Sequence, residues 1–239
     1  MQRFVDLIFS SLALFVLAPL LVPIVLLLRF TGEGEVFFRQ DRVGLGGRPF
    51  GLLKFATMLK NSPNIGTGTV TVAHDPRVLP VGRFLRKTKL NELPQLINIW
   101  RGEMSVIGPR PQTQRCFDAF PAAAQADIVR VPPGLSGIGS IIFRGEEDLY
   151  ESFDDPNWVY DTLIMPYKGE LERWYARNRT LRNYLLLIAL TAWVVIFPSS
   201  GIVWRVFSDL PPAPPELAAH FPGFSSAQLG SQSTHGSHE

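Results

Sequence analysis

The stretch KLNELPQL, residues 89–96, sets an amide and a carboxylate side by side at Asn91 and Glu92, just before Pro94. Asn91 is a favoured N-cap, Glu92 would take the first helical position, and a proline costs no intrahelical bond within the first turn. The spacing therefore predicts a helix of about three turns that starts at the motif. Leu93, Leu96, Ile97 and Trp100 recur at helical intervals as its buried face, and Gly102 is a natural stop. Glu92 would then stand at the positive end of the helix, where free amides also receive phosphate oxygens. Arg83, Arg86, Lys87 and Lys89 approach the same point from upstream, and GEMSVIGPRP delivers Arg110 from downstream between two prolines that restrict its backbone. A guanidinium offers a planar fork to a diphosphate, so the cluster reads as a phosphate clamp. The competing reading of such a basic run is a solvated face or a contact with anionic lipid.

Elements must hold this cluster near its substrates, and the first of them is apolar. Residues 7–28, LIFSSLALFVLAPLLVPIVLLL, carry no charge and would extend about 33 Å as a helix, enough for a hydrocarbon core. No small-residue cleavage pattern follows, so the segment reads as part of the mature protein. Pro19 and Pro23 predict a kink near Ala18 and Pro19. Arg3 and Arg29 place positive charge at both ends, and the charge bias selects no crossing direction. Composition alone favours a kinked single span, while a re-entrant hairpin that enters and leaves on one face accommodates both facts.

Downstream, EVFFRQDRVGLGGRPFGLLKFATM reads as short strands and turns, and residues 60–68 are turn-rich. Residues 131–153 begin with a rigid Pro-Pro-Gly turn; Glu146, Glu147 and Asp148 there could supply metal oxygens but read better as a solvated turn. The aromatics of WVYDTLIMPYKGELERWYARNR suit packing or interfacial anchoring. Residues 184–197 are apolar but short for a span, which suggests an interfacial or buried helix. From Leu210 the chain is rich in Pro, Ser, Gly and Gln and reads as disordered, and His220, His235 and His238 within it fit no metal-ligand pattern.

The formal net charge of +2 gives no electrostatic reason to expect a nucleic-acid partner, and 46% hydrophobic residues can fill a core. A single cysteine, Cys116, excludes an internal disulfide framework and reads as a packing residue.

Over about residues 1–200, the Pro-interrupted apolar start behind Arg3 and Asp6, FFRQDRVG, KFATM, DPRVLPVGRFLRKTKLNELPQL, GEMSVIGPRP and PPGLSG together resemble the bacterial sugar transferase family of monotopic phosphoglycosyl transferases. The resemblance implies transfer of a phosphosugar from a nucleotide diphosphosugar, usually a UDP-sugar, to polyprenyl phosphate, with magnesium as cofactor. It implies a helix-rich α/β fold with a re-entrant membrane helix over residues 1–30 broken at Ala18 and Pro19, and a catalytic domain with interfacial amphipathic helices over residues 31–205. Residues 206–239 are left as a disordered tail. The site would face the cytoplasm at the bacterial inner membrane, in contact with membrane lipid. Homo-oligomerisation is compatible with this and is not specified by it.

The resemblance also implies roles for residues. Asn91 and Glu92 fall on the family's catalytic Asp-Glu pair and are the catalytic and metal-ligand candidates; Lys54, Arg86 and Arg110 are the substrate-phosphate ligands. In the family the aspartate attacks the sugar-linked phosphorus, and Asn91 replaces it here with a neutral amide, a poor nucleophile. Three readings compete: Glu92 acts as nucleophile or metal ligand with direct attack by polyprenyl phosphate; the chain binds polyprenyl phosphate or an assembly partner without turnover; or the residue was altered from aspartate. The intact surrounding blocks favour a natural variant that retains substrate binding. Ala56 stands where the family usually has a basic residue, and Ile138, Gly139 and Ser140 replace a common Trp-Ala-Gln run, so sugar specificity is not implied.

Overall fold

The apolar start forms one helix, α1 (Gln2–Phe30), that continues through Pro19 and Pro23. It is long and apolar enough to cross a membrane, and Phe4, Leu12, Phe15 and Val16 stand exposed along it. Such a surface is unfavourable in water, and the helix fits membrane association. The computed structural model describes residues 1–31, 33–65, 75–144, 156–221 and 224. They divide into two units, residues 3–42 with 49–104, and residues 43–48 with those from 105 onward. The division runs through the stretch read from sequence as one catalytic domain.

In the first unit β1 (Phe37–Val43, its last residue grouping with the second unit) pairs with β2 (Pro49–Phe55). The helix α2 (Pro80–Lys87) starts on a proline whose missing donor costs nothing at that position. A short 3₁₀ turn (Leu90–Glu92) and α3 (Gln95–Arg101) follow. The side chain of Asn98 ties α3 to β2, accepting from Leu53 N–H at 2.9 Å and donating to Gly51 O at 2.9 Å. Both ends of α1 reach this unit. Arg3 donates to Ile99 O at 2.5 Å and Trp100 O at 2.7 Å, satisfying carbonyls at the end of α3. At the other end Ile24 and Leu28 are packed in one cluster with Phe55 and Leu85. In the DPR triplet Asp75 and Arg77 are buried, and Arg77 donates to Asp75 at 2.9 Å and to Ser62 O and Ile65 O at 2.7 and 2.9 Å.

The second unit pairs β3 (Ser105–Ile107) with β4 (Gly134–Ser136) in parallel, Ser105 opposite Gly134 and Ile107 opposite Ser136. Between them lie α4 (Gln114–Asp118) and α5 (Ala122–Ile128). After them come α6 (Ile138–Ile142), α7 (Pro156–Val159), a π turn (Tyr160–Ile164), α8 (Met165–Arg177) and α9 (Leu181–Ile196). Ile107, Ile138, Leu171, Tyr175 and Tyr184 are fully buried here. Asp127 on α5 accepts from Arg173 at 3.1 Å and Arg177 at 2.7 Å on α8, fixing that crossing. The helix α9 buries Tyr184, Leu187, Leu190 and Val194 and leaves Trp193 and Ile196 exposed, as a one-sided helix too short to span.

Three sequence expectations change. Asn91 is not an N-cap: the turn at residues 90–92 closes with Glu92 N to Lys89 O and Leu93 N to Leu90 O, both 3.1 Å, and the regular helix begins only at Gln95. Of the expected face Leu96 is buried and Leu93 and Ile97 are half-buried, but Trp100 is 54% exposed, and Gln95, Asn98 and Ile99 share the buried face with Leu96. Disorder from residue 206 also gives way. The helices α10 (Ile202–Val206) and α11 (Pro215–Ala218) carry Phe207, Leu217 and Phe221 into buried positions, with Tyr167 donating to Pro211 O at 3.0 Å and Trp174 to Asp209 at 2.9 Å. The prolines concealed this segment from a periodicity argument, since its apolar residues are spaced by turns rather than by one helix. His235, His238 and the acidic triplet at residues 146–148 lie outside the described residues. Gly102 ends α3 as expected, in the left-handed conformation at φ 85°.

Candidate active site

The Asn91-Glu92 turn is entered through Lys89, which at φ 58° is the one non-glycine residue with positive φ among the described residues. A side chain there costs roughly 1–2 kcal/mol, and such strain persists where the surroundings impose it. The last turn of α2 imposes it: Arg86 O accepts from Lys89 N–H at 3.1 Å, turning the chain sharply back toward β2. The result brings Glu92 to Lys54 on β2, Oε1 to Nζ 3.8 Å, with both side chains about one-fifth exposed (19% and 20%). Asn98 fixes the adjacent backbone of β2, so the strand that carries Lys54 and the helix that follows Glu92 are locked together. Arg86, on the last turn of α2, is half-buried just before this strained link.

Asn91 contributes a buried amide oxygen, Oδ1, with no hydrogen-bond partner among the described residues. Such an atom calls for a partner beyond these residues. Among the described residues no three His, Cys, Asp or Glu side chains gather to hold a metal. Asn91 Oδ1 and the Glu92 carboxylate are hard oxygen donors, and magnesium ordinarily takes few protein oxygens and completes its shell with substrate phosphate and water. The donor set fits that ion.

Arg110, in the second unit, is exposed between buried Pro109 and Pro111. Its backbone N–H donates to Glu172 Oε1 at 3.4 Å. Glu172 on α8 is 3% exposed, and burial pushes its carboxyl up to about 8, against the opposing influence of the Arg110 N–H and of the positive charges of Lys168 and Arg110. Nothing local in the chain marks this residue, because a glutamate in KGELERWYARNR reads as part of a solvated helix face. Only its burial distinguishes it.

The turn, its cations and Arg110 sit in motifs matched as a whole: a family model described as bacterial sugar transferase covers residues 1–198 of the 239. The chain belongs to the bacterial sugar transferase family. Among similar proteins of this family, a UDP-glucose:undecaprenyl-phosphate glucose-1-phosphate transferase of Klebsiella pneumoniae is 38% identical over 169 residues, 69% of this chain and 36% of that protein. The exopolysaccharide production protein ExoY of Rhizobium meliloti is 37% identical over 187 residues, 70% of this chain and 82% of its own length. A UDP-N-acetylgalactosamine-undecaprenyl-phosphate N-acetylgalactosaminephosphotransferase of Aeromonas hydrophila is 36% identical over 199 residues, 82% of this chain and 43% of that protein. The chain thus spans about a third of the Klebsiella relative's length and most of ExoY's.

Proposed function

We propose that this bacterial sugar transferase moves a sugar 1-phosphate from a nucleoside diphosphosugar, taken as a UDP-sugar, to polyprenyl phosphate and releases the nucleoside monophosphate. This would be the first membrane step in assembling an exopolysaccharide or another glycoconjugate. The observation that carries the proposal is the Lys54–Glu92 pair beside the unpartnered Asn91 amide oxygen. The transferase names of the relatives support the same substrate classes. Lys54 and Arg86 neutralise the diphosphate, and Arg110 is assigned phosphate oxygens by its motif. Magnesium held by Glu92 and Asn91 would supply further charge neutralisation on the phosphate. A polyprenyl phosphate oxygen forms the new bond to the sugar-linked phosphorus while the phosphoanhydride bond breaks, its electron pair leaving with the nucleoside monophosphate. Direct transfer follows from Asn91, whose amide cannot form the adduct an aspartate would form.

That same residue favours a second reading, a silent member that binds polyprenyl phosphate or an assembly partner without turnover. Purified protein incubated with labelled UDP-sugars, polyprenyl phosphate and magnesium is expected to yield labelled lipid, with no phosphosugar adduct on Asn91. Adduct on Glu92 in intact-protein mass spectrometry would replace direct transfer with a relocated nucleophile. No lipid product from wild type with any common UDP-sugar, beside an active Asn91→Asp variant, would establish the silent reading.

The site is placed at the cytoplasmic face of the inner membrane, with α1 re-entrant. The support is that Arg3 bonds to α3 while Leu28 packs on β2 and α2, all in one unit. A straight helix would set these residues about 37 Å apart, across the bilayer from each other. In a Cys116→Ala background, single cysteines at Gln2 and Thr31 are expected to react with an impermeant reagent from the same face. Labelling from opposite faces would replace the hairpin with a span.

A further inference from the structure

The carboxyl group of Glu172 lies against the backbone of two loops in the second unit. An added Cβ on Gly139 would come within 2.5 Å of Glu172 Oε1, so only a glycine lets the helix α6 approach this closely. Gly137 shows the region in which the other oxygen lies. A Cβ there would collide with the carbonyl oxygen of Gly108 at 2.2 Å and would meet Glu172 Oε2 at 3.6 Å, so the two oxygens share the neighbourhood of one glycine. Oε1 accepts from Arg110 N–H, and Oε2 is buried with no hydrogen-bond partner among the described residues. An ionised carboxylate in this position would leave a full charge with one long hydrogen bond in a buried site, a costly arrangement. A carboxylic acid would instead carry a proton on Oε2, and the Gly108 carbonyl, near the same glycine, is the candidate acceptor.

We propose that Glu172 is a positioning residue that works as a neutral acid: Oε1 accepts from the Arg110 amide and Oε2–H donates to the Gly108 carbonyl, clasping the backbone on which Arg110 stands. Pro109 and Pro111 stiffen the same stretch, so the clasp fixes what little freedom is left and presents an ordered guanidinium to phosphate. The charged groups that face the acid are Lys168, one turn earlier on α8, and Arg110; residues 134–142 contribute none. Both cations favour ionisation, and burial outweighs them. The neutral form is therefore held below about pH 8 and lost above it.

The proposal rests on Arg110 as a phosphate ligand for its effect on turnover, and on infrared spectroscopy for the acid itself. Difference spectra of wild type against Glu172→Gln, titrated from neutral to alkaline pH, are expected to show a carboxylic-acid carbonyl band at neutral pH that fades near pH 8 and is absent from the variant. In transfer assays wild type is expected to lose activity near pH 8, whereas Glu172→Gln, neutral and able to make both bonds, is expected to keep neutral-pH activity within about 3-fold and to lack that alkaline fall. Glu172→Leu, close in volume but without either bond, is expected to raise KM for the UDP-sugar on the order of 10- to 100-fold while still melting cooperatively. Absence of the neutral-pH band, or a Gln variant as impaired as the Leu variant, would overturn the clasp. A band without any turnover would leave the clasp standing and overturn the enzymatic reading instead.

Discussion

Glu92→Gln is expected to lower sugar-phosphate transfer by two to three orders of magnitude, with KM for the UDP-sugar changed far less. Glutamine matches glutamate in shape, and Glu92 is one-fifth exposed, so the turn at residues 90–92 should form as before. What disappears is the negative charge beside Lys54. In the proposed reaction that charge orients the lysine and would help hold a divalent cation, whose chemistry would be to offset charge on the phosphate as the phosphoanhydride bond breaks. Loss of one such electrostatic group costs about 10²- to 10³-fold in kcat. Lys54 would remain near the diphosphate and keep substrate affinity close to normal, which separates the effect into kcat rather than KM. Steady-state kinetics at saturating polyprenyl phosphate measure it. A loss below about 10-fold would mean that Glu92 is a structural partner of Lys54 and no more.

The second large effect is on stability. Gly82 on α2 lies so close to the backbone of Thr57 that an added Cβ would overlap its carbonyl oxygen, and neither backbone can yield without parting the two elements. Leu79 N–H donates to that same oxygen at 3.0 Å, so the overlap would also break the bond that seats the start of α2. Gly82→Ala is therefore expected to destabilise the protein by about 3 kcal/mol, despite alanine's better helix propensity of about 1 kcal/mol. Because α2 carries Arg86 and leads into the strained Lys89 link, activity should fall before unfolding is reached. Thermal melts in detergent, read together with transfer rates below the melting transition, check both. An unchanged or raised melting temperature would show that α2 has room to move.

Much of the site was legible without coordinates. The pairing of Asn91 with Glu92, the upstream cations and the Pro-Arg-Pro setting of Arg110 all lie in short segments, where residue types and local spacing suffice. The stop at Gly102 was legible for the same reason, since a left-handed residue after an apolar run favours glycine. The start of that helix was not. Asn91 satisfies the residue preferences of a cap, yet Lys89 takes a left-handed conformation that these preferences disfavour, and the turn that results is of 3₁₀ type. The packing of α2 on Thr57 and the tie from Asn98 to β2 impose it, and both are contacts between residues far apart in the chain.

The apolar start shows the same division. Its length and composition announce a lipid-facing helix, and nothing local says where its ends go; Arg3 at the end of α3 and Leu28 among Phe55 and Leu85 do. By itself, then, the sequence determined the family and named the motif residues and phosphate ligands as candidates, because each is written in contiguous residues. The tertiary structure alone decided that Lys54 meets Glu92, that the Asn91 oxygen is buried without a partner among the described residues, that Phe207, Leu217 and Phe221 are buried, and that Glu172 is buried against the Arg110 backbone. Burial and long-range pairing depend on which surfaces the whole chain brings together, and no local pattern of residues encodes that.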